Sequence, residues 1–192
     1  MNAPAQALSS LAGILGELNI QWVLVGSMAS SIHGTVRTTQ DVDVVIRLPP
    51  GKLTPLTEAL DREFSADPEL KRENFALGRP ANIFHKESYF KIDIFPVTGD
   101  TAQRAQLERA RIEEVMLDAV HLRIPVSTAE DILVAKLRWW RAAGESYKQW
   151  EDMRGLLIVS RAKLDISYIR AWAGQLNPME PLERLLHESE AR

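Results

Sequence analysis

The sequence predicts an α/β (α+β) fold. A mixed β-sheet flanked by helices occupies residues 1–126, and a helical C-terminal part packed on that core occupies residues 127–192. Three observations carry this. Short β-branched runs at residues 22–25 and 42–46 alternate with helical patterns. Two further pairs of apolar runs are joined by short polar turns, the signature of hairpins. Beyond Pro125 only helical periodicity remains.

The elements follow in order. In residues 7–18, Leu8, Leu11, Ile14, Leu15 and Leu18 recur at helical spacing. Residues 22–25 form an apolar strand ending at Gly26, and the small residues 27–33 continue as a helix. Residues 42–46 form a second strand, stopped by Pro49-Pro50-Gly51. Residues 52–64 read as a helix, and residues 69–78 are ambiguous. Strands at 81–85 and 89–97 flank the turn Lys86-Glu87-Ser88, a charged helix spans 100–109, and Asp118-Ala119 turns between strands at 112–117 and 120–124. Ser127 with Glu130 three residues on makes a capping box. That helix runs to Ala143, where Gly144 stops it. Helical patterns recur at 146–159, 166–176 and 181–188, and their Trp139, Trp140, Trp150 and Trp172 need a surface to bury against.

Composition narrows the functional classes. A net charge of -3 argues against a broad non-specific grip on nucleic acid. With no cysteine and four histidines, disulfides and thiolate chemistry are excluded and a structural zinc site is disfavoured. The first ten residues lack a basic stretch followed by an apolar core, and no apolar run is long enough to span a bilayer. A cytoplasmic protein is expected, with no membrane partner.

The informative segment is "VGSMASSIHGTVRTTQDVDVVI", residues 25–46. Side chains alternate along a strand, so Asp41 and Asp43 share one face while Val42, Val44 and Ile46 take the other. Two carboxylates about 7 Å apart along a strand need a neutralising partner. Hard oxygen ligands suit Mg²⁺ or Mn²⁺. In "KIDIF", Asp93 again interrupts an apolar strand, sharing its face with Lys91 and Phe95. If that strand lies beside the first, Asp93 completes a cluster that binds two metals and supports in-line phosphoryl or nucleotidyl transfer, with Asp93 the general base or its orienting ligand. A strand ending in Gly26-Ser27 and opening a helix presents backbone N–H groups and a hydroxyl to phosphates. Arg37 precedes Asp41 by four residues, placed to meet a phosphate or balance the carboxylates. Thr38 and Thr39 assist or hold the loop.

The pattern Gly26-Ser27, thirteen residues, Asp41-x-Asp43 and a distant strand Asp93 resembles the nucleotidyltransferase superfamily with the DNA polymerase β-like fold. The finer string "VGSMAS…HGTVRTTQDVDVVI" is similar to its small bacterial branch, which includes AbiEii-type toxins and uncharacterised nucleotidyltransferases. "TAEDILVAKLRWW" and "SYKQWEDMRGLL" resemble helical motifs of that branch, where Lys136 and Asp152 match a lysine and an aspartate that support nucleotide binding or catalysis. The resemblance implies Mg²⁺-dependent transfer of a nucleoside monophosphate from an NTP to a hydroxyl. The acceptor it implies is an RNA 3′ end, a protein or a small molecule such as an antibiotic. A place in a toxin–antitoxin pair, with an antitoxin as partner, is also implied.

Plainer readings exist for the same residues. Asp41 and Asp43 read as a turn-edge pair, and Asp93 as a strand carboxylate paired with Lys91. Asp152 reads as an i, i+4 partner of Lys148, and Lys136 as a snorkelling surface lysine. His33 reads as a helix-end residue, His85 as a strand-surface residue, and the tryptophans as core. The functional alternative is a catalytically silent nucleotide-binding module of the same fold.

Overall fold

The computed structural model describes residues 3–34, 41–117, 119–176 and 179–190. Arg37, Thr38, Thr39 and the Asp118 end of the expected turn lie outside the described residues. The chain forms two compact units, Met1–Met28 with Thr38–Ser127, and Ala29–Arg37 with Thr128–Arg192.

The first unit is a seven-stranded mixed sheet with helices on both faces. Helix α1 (Ala3–Glu17) buries Leu8, Leu11, Ile14 and Leu15. Strand β1 (Gln21–Val25) runs into α2 (Gly26–Ile32), and the unit boundary falls inside that helix. Strand β2 (Asp41–Arg47) is followed by α3 (Leu53–Glu63) and the two-residue β3 (Phe64–Ser65), which the sequence pattern is too short to mark. The ambiguous residues 69–78 contain α4 (Pro68–Ala76), capped by Asp67, which accepts from the Leu70 N–H, with Pro68 at its first turn. Next come β4 (Ala81–His85), β5 (Lys91–Pro96), α5 (Thr101–Arg109) with Asp100 as N-cap, β6 (Arg111–Leu117) and β7 (Val120–Val126).

The strand order is β3-β4-β5-β2-β1-β7-β6. Strands β2 and β5 are parallel, as are β1 and β7; the other neighbours are antiparallel. Val42, Val44, Ile46, Ile92 and Ile94 are fully buried on the face covered by α1. Each such side chain stabilises the fold by about 1.5–3 kcal/mol. The opposite face is shared. Val23, Val25 and Val45 pack with Leu107 of α5, with Phe95 and Val97 alongside.

His85 departs from the strand-surface expectation. It alternates with Ala81 and Ile83 onto the helix-covered face and is buried between Ser10 and Ser88. Its ring meets Phe64 edge-on at 5.4 Å. A cavity of about 510 Å³ opens beside it, lined by Ser10, Arg62, Lys86 and Glu87 among others.

The second unit is helical: α6 (Ala129–Ala142), α7 (Tyr147–Ser160), a 3₁₀ turn at Arg161–Lys163, α8 (Ile166–Leu176) and α9 (Met179–Glu190). The N-cap of α6 is Thr128, not Ser127. The Ser127 N–H still donates to the Leu24 carbonyl at 2.9 Å, extending the β7–β1 pairing by one residue. The helix therefore opens one residue later, where the Thr128 hydroxyl accepts from the Asp131 N–H and donates to the Asp131 carboxylate. Trp140 and Trp150 are buried with ring centroids 5.1 Å apart, but Trp139 is exposed, so the four tryptophans do not form one core cluster. The Ser160 hydroxyl donates to the His33 carbonyl, tying α7 to the end of α2. No helix among the described residues is long and apolar enough to cross a membrane.

Candidate active site

The parallel pairing of β2 with β5 sets Asp43 opposite Asp93 and Asp41 opposite Lys91. Strand alternation keeps all four side chains on one face. This is the α5 face, at the end of the strands away from the Val45–Phe95 packing.

Gly26 closes the near side of the row. Its φ is +68°, in the left-handed region. A Cβ built there would stand 2.0 Å from Asp43 Oδ2. Only glycine meets both demands, a left-handed backbone and a carboxylate against the main chain. Ser27 follows at the start of α2, which is seven residues long.

Lys91 neutralises part of the row. Its Nζ donates to Asp93 Oδ2 at 2.7 Å and lies 4.0 Å from Asp41 Oδ2. The hydrogen bond to Asp93, helped by the charges of Asp93, Asp41 and Asp43, raises the Lys91 pKa above the usual lysine value against the opposing cost of burial. The Asp93 side chain is 14% exposed, against 42% for Asp41 and 32% for Lys91. The second Asp93 oxygen, Oδ1, is buried without a hydrogen-bond partner among the described residues. A buried carboxylate oxygen left this way suits an incoming proton or cation.

The donor set is all hard oxygen, which fits Mg²⁺ or Mn²⁺. Among the described residues, no three carboxylate or imidazole side chains converge tightly enough to form a ready metal cage. Cation binding would therefore have to draw the carboxylates together.

Two neighbours escaped the sequence reading. On β4, Asn82 is in register with Asp93 and Phe84 with Lys91. Both face the same side as the carboxylates, and Phe84 is 42% exposed there. The signal available in the sequence was the alternation of β4, whose exposed positions are Asn82 and Phe84.

Lys136 and Asp152 belong to the helical unit. Lys136 Nζ lies 3.0 Å from Asp152 Oδ2 and 3.2 Å from Gln149 Oε1. Their side chains are 6% and 12% exposed. Lys136 is thus not a snorkelling surface lysine, and Asp152 has a partner on a different helix from Lys148.

No protein-family model matches the sequence, and no curated protein matches it. Solved structures do match the fold. The antibiotic-resistance factor ANT(2'')-Ia in solution aligns at TM-score 0.58 with 11% identity, covering 98% of this chain and 98% of its own. The fold is that of the nucleotidyltransferases. An antigenic nucleotidyltransferase-like protein from Paracoccidioides brasiliensis aligns at TM-score 0.55 with 18% identity, over 95% of this chain and 91% of its own. ANT(2'')-Ia in complex with adenylyl-2''-tobramycin aligns at 0.54 with 12% identity, over 92% of this chain and 98% of its own. At these identities the nucleotidyltransferase fold is what is shared.

Proposed function

We propose that this protein is a nucleotidyltransferase that moves a nucleoside monophosphate from an NTP to an acceptor hydroxyl. The observation that carries the reading is the register of Asp43 with Asp93, beside a Gly26 that leaves no room for a Cβ. An ordinary structural carboxylate pair needs no backbone cut away to admit it. The nucleotidyltransferase fold of the matching structures supports the same reading.

The roles follow from position. Asp41, Asp43 and Asp93 would hold Mg²⁺ or Mn²⁺, which when bound supplies charge to the triphosphate oxygens. Gly26 and Ser27 would receive the triphosphate, with Arg37 adding a guanidinium. The acceptor oxygen bonds to the α-phosphorus, the bond from that phosphorus to the bridging oxygen breaks, and pyrophosphate leaves. The acceptor proton passes to Asp93, whose Oδ1 is the oxygen not engaged by Lys91. A nucleotide-supporting role for Lys136 and Asp152 rests on the sequence resemblance. The acceptor class we favour is a small molecule bearing a hydroxyl, because the structure of ANT(2'')-Ia holds adenylyl-2''-tobramycin. An RNA end or a protein hydroxyl, and with them a toxin–antitoxin role and the AbiEii-type branch, rest on the sequence strings alone.

The test is incubation with each NTP labelled at the α-phosphate, Mg²⁺, and three acceptor pools: small hydroxyl compounds, total RNA and cell lysate. Transfer by the wild type, abolished in Asp41→Ala/Asp43→Ala, establishes the reaction and its acceptor class. Metal-dependent NTP binding without transfer to any pool would instead favour the silent binding module. No NTP binding at all would sink the reading.

A further inference from the structure

The carboxylate row already contains a cation. Lys91 sits two residues before Asp93 on β5, and so on the same face. Register places it directly opposite Asp41. Its ammonium bonds one carboxylate at 2.7 Å and approaches a second at 4.0 Å. Among the described residues, its ammonium reaches carboxylates of both β2 and β5 across this face.

We propose that Lys91 is a placeholder counter-ion, which holds the carboxylate row together until a divalent cation displaces its ammonium. This rests on the nucleotidyl-transfer reading above. Lys91 engages only Asp93 Oδ2 and leaves Oδ1 without a partner among the described residues, so the carboxylate keeps an open acceptor for a divalent ion. The Lys91 side chain is about one-third exposed, and its flexible stem lets the head group swing into water. Asp93 cannot follow, because its side chain is 14% exposed and its strand is pinned by the full burial of Ile92 and Ile94 on the opposite face. Displacement would leave both Asp93 oxygens available, Oδ1 being already without a partner among the described residues. An arginine here would fork onto the carboxylate and resist exchange, whereas an ammonium makes a point contact. Lys91 is therefore a positioning residue. It neutralises part of the row in the metal-free protein and leaves when the carboxylates close on the ion.

Two measurements test this. The first acylates surface amines of the wild-type protein with and without Mn²⁺ and quantifies each lysine by mass spectrometry. Lys91 labelling should rise severalfold with the metal, while Lys163 on the helical unit stays constant. The second compares Mn²⁺ affinity, read by electron paramagnetic resonance of the free ion, in wild type and Lys91→Met. The variant should bind roughly tenfold tighter, the scale expected for removing one partly screened competing charge. If Mn²⁺ binds but Lys91 labelling stays flat, or Lys91→Met binds no tighter, the placeholder role is wrong and the nucleotidyl-transfer reading stands. If the wild type and the variant both fail to bind Mn²⁺ with NTP present, both fall together. If Lys91→Met does not fold, the footprint on the wild type decides alone.

Discussion

Asp43 and Asp93 stand directly opposite each other on the parallel strands β2 and β5, fifty residues apart in sequence and one strand spacing apart in space. The flanking valines and isoleucines are fully buried on the other face, so the register cannot slip by one residue without turning one of the two carboxylates into the core.

Asp93→Asn should separate chemistry from stability. It keeps the shape of the side chain but removes the negative charge and, on the proposed mechanism, the group that takes the acceptor proton. Nucleotidyl transfer should fall by about 10²–10⁴-fold, the usual share of a positioned acid–base group. Thermal denaturation should shift little, because the lost Lys91 pair is partly exposed on its lysine side. Rate and melting temperature measured on the same preparation check this.

Gly26→Ala should be worse than an ordinary glycine replacement. The added Cβ collides with Asp43 Oδ2 in a left-handed backbone. Gly51 has φ +80° but open space around it, which makes Gly51→Ala the control for backbone strain alone. Gly51→Ala should cost about 1–2 kcal/mol, and Gly26→Ala measurably more because the carboxylate must also move. Urea denaturation of both variants gives the comparison.

The Lys136–Asp152 pair is buried on both sides. Asp152→Ala leaves the ammonium without its carboxylate, a loss of about 3–5 kcal/mol. The double change Lys136→Met/Asp152→Leu should recover much of that stability, because neither charge of the pair is left behind. If the double variant is stable yet binds NTP poorly, the pair serves the nucleotide rather than the fold.

Acid should loosen the helical unit in a predictable direction. The Glu183 pKa is lowered from its ordinary 4.5 first by the hydrogen bond from Arg170. The Glu188 pKa is lowered first by Arg184, then by the Trp150 indole N–H. Carboxylates with depressed folded-state values contribute stability that is present above 4.5 and lost as pH falls through the folded value. Chemical denaturation at about pH 6 and about pH 3 should show that loss, reduced in Glu183→Gln/Glu188→Gln. Both groups are exposed, so the effect is small in size.

Much of the architecture was legible in the chain because its signals are local. The alternation in Asp41–Arg47 marks a strand with one buried face, and the leucine spacing near the N-terminus marks α1. The two-residue β3 was invisible because it is shorter than any periodicity. The cap of α6 was misplaced by one residue because Ser127 is held by a backbone bond to Leu24, about a hundred positions away. His85 looked like a surface residue because its burial depends on α1, which supplies Ser10.

By itself the sequence determined which residues carry charge, which face of each strand they take, and that Gly26-Ser27 and Asp41-x-Asp43 belong to one short segment. Periodicity and turn chemistry are nearest-neighbour properties, so they can be read without the fold. Tertiary structure alone decided that β5 lies parallel to β2 in a register pairing Asp43 with Asp93. It also decided that Lys91 reaches towards Asp41, that Gly26 has no space for a Cβ, and that Lys136 is buried against Asp152. Such long-range contacts are set by the burial of whole faces against one another, and no single stretch of chain contains that information.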